Sequence, residues 1–195
     1  MKKIPIGLLD KILVQTAGKA AQETLLADSS SYTYNRYVWK ENTKGGRFEH
    51  LTLKHHVLLA LNGCVVASVV TDRERDDSQM LTRLTEKAPL GSGYLLADRK
   101  YCCKENCAEA LRIGRLLCIR PPKSHTGRGL GAWSNMIRWE KNNPGSFYKK
   151  FGMRNLVESG FSSLKDRFRD GLRSVTPKMQ VRELALRSIC HNLFH

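Results

Sequence analysis

Phe151-Gly-Met-Arg154-Asn-Leu-Val-Glu158-Ser-Gly-Phe-Ser-Ser-Leu-Lys165 is the stretch from which the rest of the chain can be read. If it is helical, at about 100° per residue Arg154, Glu158 and Lys165 fall within roughly 60° of one another, with Phe151 close by. Val157, Phe161, Leu164 and Phe168 follow the spacing of a second, core-facing stripe. One side of the helix is therefore anchored, and the other presents a carboxylate between two cations. Neighbouring positive charge keeps a carboxylate ionised. Fixed on a rigid helix, it can bind a metal ion, while Arg and Lys suit contact with a DNA backbone. The same residues also fit an ordinary surface helix with an i, i+4 Arg154–Glu158 pair, worth a few tenths of a kcal/mol.

Working outward, the pattern is mixed α/β. Leu25 to Asp28 reads as a short apolar strand, followed by a polar turn around Asn42 to Gly46. His50 to Leu61 and Cys64 to Thr71 read as two strands joined at Asn62-Gly63, a strong hairpin signal. Asp77-Ser78 caps a helix from about Gln79 to Lys87, and Pro89 and Gly91 end it. Tyr94 to Ala97 is an apolar strand, Lys104 to Ile113 an amphipathic helix, and Leu116 to Arg120 the last strand. Lys123 to Gly145, rich in Gly, Asn, Ser and Lys, reads as the least ordered part. The long helix carrying Glu158 breaks near Gly171, and Pro177 opens a final helix to about Leu193.

The chain has 195 residues, enough for one domain with a sizeable core. Lys plus Arg outnumber Asp plus Glu by 33 to 18, a net charge of +15. Such an excess calls for a polyanionic partner, nucleic acid first. No basic amphipathic helix is left free by the core to lie on a membrane, and no segment approaches the roughly 20 apolar residues of a span. Asp10 and Lys11 interrupt the apolar N-terminal run before it reaches signal-peptide length. The chain is therefore expected to be soluble and cytoplasmic, nucleoid-associated when bound to DNA. The six cysteines show no zinc-ligand spacing and read as reduced structural thiols.

The run F-x-x-R-x-x-x-E-x-x-x-x-x-x-K resembles the Y-x-x-R-x-x-x-E-x-x-x-x-x-x-K signature of DDE-type insertion-sequence transposases of the fourth and fifth families, with Phe151 where the family has Tyr. Two further motifs stand in the family's order. Thr24-Leu-Leu-Ala-Asp28-Ser-Ser-Ser-Tyr32 is similar to its first, an apolar strand ending in Asp-Ser-Ser. Gly93-Tyr-Leu-Leu-Ala-Asp98-Arg-Lys-Tyr101 is similar to its second, ending in Ala-Asp-x-x-Tyr. The matching region runs from about Leu25 to about Leu193. Three strands in a meander, then helix, strand, helix, strand, helix, is the order of the ribonuclease H-like fold, a five-stranded mixed sheet flanked by helices. Residues 1–22 read as an N-terminal leader and 23–195 as the catalytic domain.

In that fold the first and fourth strands lie side by side, so Asp28 and Asp98 would meet at adjacent strand ends while the Glu158 helix supplies the third carboxylate. Three carboxylates in one pocket need cations between them, and hard oxygen ligands select two Mg²⁺ or Mn²⁺ ions. The resemblance implies metal-dependent strand cleavage by water and transfer of the freed 3′-hydroxyl to target DNA. Implied partners are double-stranded DNA (transposon ends and target), with a homodimer possible and no membrane.

Other candidates stand beside these. Arg154, Lys165, Lys149, Lys150 and Trp133 are the expected DNA contacts. Lys123, Arg128, Arg138, Lys141 and Trp139 add to a basic, aromatic-interleaved stretch that suits DNA or mere solvation. Lys54 and His56 share a strand face and resemble a K-x-H element common in these transposases; a structural histidine fits equally. Asp72, Asp76 and Asp77 follow a strand and precede a helix, where capping and solvation account for them. Asp76-Asp77-Ser78 looks like the family's His-Asp-Ser turn. Only 27 residues precede Asp28, without a helix-turn-helix pattern. The chain thus reads as a truncated copy, a catalytic domain without an end-binding domain. Two functions compete: an active transposase, and an inactive DNA-binding remnant that regulates transposition or has no activity.

Overall fold

The computed structural model describes residues 4–40, 45, 47–72 and 76–195, with 35–40 and 47–51 as backbone alone. Of the turn expected around Asn42 to Gly46, all but Gly45 lies outside the described residues. β1 (Leu25–Lys40), β2 (Arg47–Ala60) and β3 (Val65–Asp72) form an antiparallel meander. The β2–β3 connection is the expected hairpin: Ala60 N–H donates to the Cys64 carbonyl at 2.8 Å, and Gly63 takes φ +91°. β4 (Tyr94–Ala97) and β5 (Leu116–Cys118) continue the sheet in parallel, giving the order β3-β2-β1-β4-β5. A two-residue strand, β6 (Gly171–Leu172), also pairs with β1 in parallel, so the expected five strands become six. The architecture is the ribonuclease H-like α/β fold.

Helices cover both faces. Successive β2 side chains point opposite ways: His55 meets Phe161 of α6 (Leu156–Phe168), whereas His56 meets Asp77 of α2 (Asp77–Thr85). Leu25, Leu26 and Ala27 of β1 and Leu95, Leu96 and Ala97 of β4 are accordingly all buried, the unbroken apolar runs of a sheet enclosed from two sides. α6 crosses close to the sheet at Gly160, where a Cβ would stand 2.8 Å from Leu59 Cδ1.

Within the segment read as a leader, Ile6–Ala17 form α1, and Leu9, Leu13 and Ala17 join the common core. α1 packs on β3 and on α7 (Pro177–Leu193). Asn192 locks this corner. Its carboxamide accepts from Val65 N–H at 2.7 Å and donates to the Val65 carbonyl at 2.8 Å, the bonds a further strand would make at the open edge of β3. It also reaches Thr16 Oγ1 of α1 at 3.0 Å. On the far side Arg115 is fully buried, donating to the carbonyls of Ala21, Glu23, Pro89 and Ile113.

Two expectations need correction. The stretch from Lys123 to Gly145 contains α4 (Ala132–Asn142) and the start of α5 (Pro144–Gly152). Met136 and Ile137 are buried in α4 and Phe147 in α5, with Trp139 stacked on Tyr94 at 5.3 Å. The Glu158 helix is also not continuous. α5 ends at Gly152, and a 3₁₀ turn over Met153–Asn155 separates it from α6. Phe151, Arg154 and Glu158 therefore sit on three successive elements. α3 (Lys104–Arg112) is capped by Cys103, whose sulfur accepts from Asn106 N–H, and all six cysteines are free thiols.

Candidate active site

The β1–β4 ladder pairs Leu25 with Leu95, Leu26 with Leu96 and Ala27 with Ala97, then stops. Asp28 and Asp98 are the next residues on each strand and so stand side by side. Asp28 does not end its strand: β1 runs on to Lys40, and β6 rejoins its edge at Thr33. Between Ala27 and Thr33 the β1 edge carries no strand neighbour on this side among the described residues, a notch beside which the two aspartates stand.

Both aspartates are held alike. Asp28 Oδ1 accepts the Ser29 N–H at 2.8 Å, and Asp98 Oδ1 accepts the Arg99 N–H at 2.7 Å. No residue within hydrogen-bonding range claims the second oxygen of either group among the described residues. Burial pushes the Asp28 carboxyl up; the Ser29 N–H and Arg154 oppose this, and Asp98 and Asp77 add to it. A cation between the two aspartates would remove that cost, and two unclaimed carboxylate oxygens are hard donors suited to Mg²⁺ or Mn²⁺.

Glu158 is placed differently. It lies in the first turn of α6 with its side chain 69% exposed, 4.0 Å from the Arg154 guanidinium. Arg154 is mostly buried, stands 5.9 Å from the Phe151 ring, and its Nε has no hydrogen-bond partner among the described residues. Its charge also acts on Asp28, so it is near both carboxylates. The structure brings Asp28 and Asp98 together and keeps Glu158 at the rim. Among the described residues no three acidic, His or Cys side chains surround a common point closely enough to cage a metal.

The other expected DNA contacts occupy separate places on the fold. Lys165 turns inward, donating to the Ser31 carbonyl at 3.1 Å across the unpaired β1 edge and standing 5.2 Å from the Tyr32 ring. Lys149 is exposed at the end of α5, and Lys150 lies 5.3 Å from the Tyr94 ring. Trp133 is half-buried, edge-on to His125 at 5.1 Å. Trp139 is occupied as packing between Tyr94 and Phe147. Lys123, Arg128, Arg138 and Lys141 are exposed.

One group reads differently in three dimensions. Asp76 caps α2 by accepting from Ser78 N–H, and Asp72 is exposed, as capping and solvation require. Asp77 is buried instead. Its Oδ1 takes Lys54 Nζ at 2.7 Å and the Ser29 hydroxyl at 2.8 Å, with His56 Nδ1 at 3.2 Å but not aligned for a hydrogen bond. Burial would raise Asp77, yet the Lys54 and Ser29 bonds outweigh it and hold the carboxyl below its ordinary value. His56 is pushed down to about 4 by burial, against the pull of Asp77, and is neutral near pH 7. Tyr101, closing the Ala-Asp-x-x-Tyr motif, is buried with its hydroxyl unpartnered; burial, then Asp77 and Asp28, push it up. The available signal was that a helix needs one cap: with Asp76 serving, Asp77 at the first helical position was free to face inward.

A protein-family model described as "Transposase DDE domain" matches residues 2–193. No curated protein matches the chain.

Proposed function

The chain belongs to the transposase DDE domain family, and from that premise we propose that it catalyses metal-dependent DNA strand cleavage and strand transfer during transposition of an insertion sequence. The family acts on DNA and uses divalent metal ions. The observation that carries the finer reading is the adjacency of Asp28 and Asp98 just past the end of the β1–β4 ladder, each with one oxygen unclaimed among the described residues.

Asp28 and Asp98 would hold the ions, with Glu158 as the third carboxylate. Two Mg²⁺ or Mn²⁺ ions, when bound, supply charge stabilisation on both sides of an in-line phosphoryl transfer. Arg154, 4.0 Å from Glu158, would draw that side chain toward the two aspartates. Lys149, Lys150, Lys165 and Trp133 would contact the duplex, the lysines on phosphates and Trp133 on a base or sugar. In the first step water is the nucleophile and a 3′-hydroxyl leaves; in the second that hydroxyl attacks a target phosphodiester, whose P–O3′ bond breaks and whose own 3′-oxygen leaves. No protein nucleophile is required.

A second reading has its own support. The exposed Glu158 suits a chain that binds DNA without cutting it. A labelled duplex carrying candidate transposon ends, incubated with Mg²⁺ or Mn²⁺, separates the two. The catalytic reading expects nicking that is lost in Asp28→Asn, Asp98→Asn and Glu158→Gln. Salt-sensitive DNA binding with no nicking in any protein would replace it with the non-catalytic reading.

A further inference from the structure

The weak point of this site is the β1 segment that bears Asp28. β4 leaves β1 after Ala27, and β6 does not return until Thr33. On that edge the sheet's own hydrogen bonds cannot fix the residues carrying the carboxylate. What lies against the segment is the buried group on the α2 face. Ser29 pairs across the β1–β2 ladder with His56, and Lys54 with Ser31, so both β2 side chains stand against this part of β1. Asp77 enters from α2 and joins them through a single oxygen, bonded to Lys54 Nζ and to the Ser29 hydroxyl. Ser29 is thereby held at its side chain by Asp77, and its own N–H is the donor that fixes Asp28 Oδ1.

We propose that Asp77, seated on Lys54 and beside His56, is a positioning residue that sets the orientation of Asp28 through Ser29. The chain of contacts is short: Lys54 Nζ to Asp77 Oδ1, Asp77 Oδ1 to Ser29 Oγ, Ser29 N–H to Asp28 Oδ1. Its chemistry suits the role. An ionised acceptor makes a stronger, better-directed bond to a hydroxyl than a neutral one. Because Lys54 neutralises Asp77, the tether adds little net negative charge beside a pair of carboxylates that already repel. Asp77 is not needed as a helix cap, since Asp76 performs that task. Partners that orient a ligating group typically account for 10- to 100-fold in metal affinity.

This inference rests on the reading of Asp28 and Asp98 as metal ligands, and the test separates the two. Mn²⁺ binding to the full chain is followed by electron paramagnetic resonance of the free ion, without DNA, for the wild type, Ser29→Ala, Asp77→Ala, Asp77→Asn, Ser29→Ala/Asp77→Ala and Asp28→Asn. Ser29→Ala removes one hydroxyl and leaves the Lys54–Asp77 pair and the backbone intact, so it remains informative if an Asp77 variant fails to fold. We expect Ser29→Ala and Asp77→Ala each to weaken Mn²⁺ about tenfold, with the double variant no weaker than either. Asp77→Asn, which keeps an acceptor for Ser29, should recover most of that loss. Wild-type affinity in Ser29→Ala, alongside a loss in Asp28→Asn, would overturn the positioning role while leaving the metal ligands in place. Equal losses in Asp77→Asn and Asp77→Ala, with none in Ser29→Ala, would also overturn it, because charge rather than orientation would then be the cause. No Mn²⁺ binding by the wild type would overturn the ligand reading and the tether with it.

Discussion

His55 makes the fold acid-sensitive by an amount that can be worked out. It is fully buried, bonded through Nε2 to Ser68 Oγ at 2.7 Å, and edged by Tyr32 and Phe161. Burial, with His56 adding to it, pushes its pKa down from 6.5 to about 3. A group with a depressed folded pKa contributes stability that is fully present above its unfolded value, here about pH 6.5, and is lost as pH falls toward the folded one. At pH 4 the unfolded histidine is charged and the folded one is not. The linkage integral from 6.5 to 4 is then about 3 kcal/mol. For a chain of this length that lowers the melting temperature by about 6–12 °C relative to pH 7. The assay is thermal unfolding by circular dichroism between pH 7 and pH 4 in the wild type and in His55→Leu. The variant leaves the Ser68 hydroxyl unpaired, which costs about 1–3 kcal/mol at every pH. The prediction therefore concerns the slope: His55→Leu should lose about 3 kcal/mol less between pH 7 and pH 4 than the wild type. Parallel curves would refute the reasoning and mean that the buried ring is protonated or relieved in the folded state.

Asn192→Ala should cost about 2–3 kcal/mol in urea unfolding with an unchanged m-value, because Val65 N–H and its carbonyl both lose their partner at a buried sheet edge. Gly114→Ala should destabilise by at least about 2 kcal/mol, since Gly114 has φ +78° and a Cβ would run into the Gly91 carbonyl; a neutral result in the same assay would mean the α3–β5 turn can shift. Replacing Lys149 and Lys150 together by Ala should reduce the slope of log binding constant against log salt for duplex DNA by about 1.8, two phosphate contacts at about 0.9 each. An unchanged slope in fluorescence-anisotropy titrations would remove the end of α5 from the DNA interface.

Legibility in the sequence varied with how strongly local chemistry constrained each element. Tyr94–Ala97 and Pro177–Leu193 were readable to the residue, since a Gly or Pro marks their starts and the runs between are uninterrupted. The Asn62-Gly63 hairpin was equally plain. α1 was not: Asp10 and Lys11 break its apolar run, and one of the two elements that receive it, α7, lies at the far end of the chain, so the segment read as a leader. α4 was hidden by composition: six of its eleven residues are polar or charged, and only tertiary packing reveals which side is buried. At the site, the adjacency of Asp28 and Asp98 followed from strand order. The 3₁₀ turn at Met153–Asn155 did not, and it is what moves Phe151 and Arg154 off the helix that carries Glu158. Asp77 was misread because an acid beside a helix start is usually a cap; its burial depends on Lys54 and Ser29, 23 and 48 residues away in sequence.

Asp28 and Asp98 together should form a seat for a divalent ion. The most direct test is a Mn²⁺ titration of thermal stability, with nonspecific duplex present, on the native chain and on Asp98→Asn. At a hundredfold excess over the dissociation constant, binding to the folded state alone should add about 2.7 kcal/mol. That corresponds to a rise of about 5–11 °C in melting temperature for a chain of this size. This rise is expected in the native chain and its loss in Asp98→Asn. An equal rise in both proteins, or none in either, would contradict that expectation.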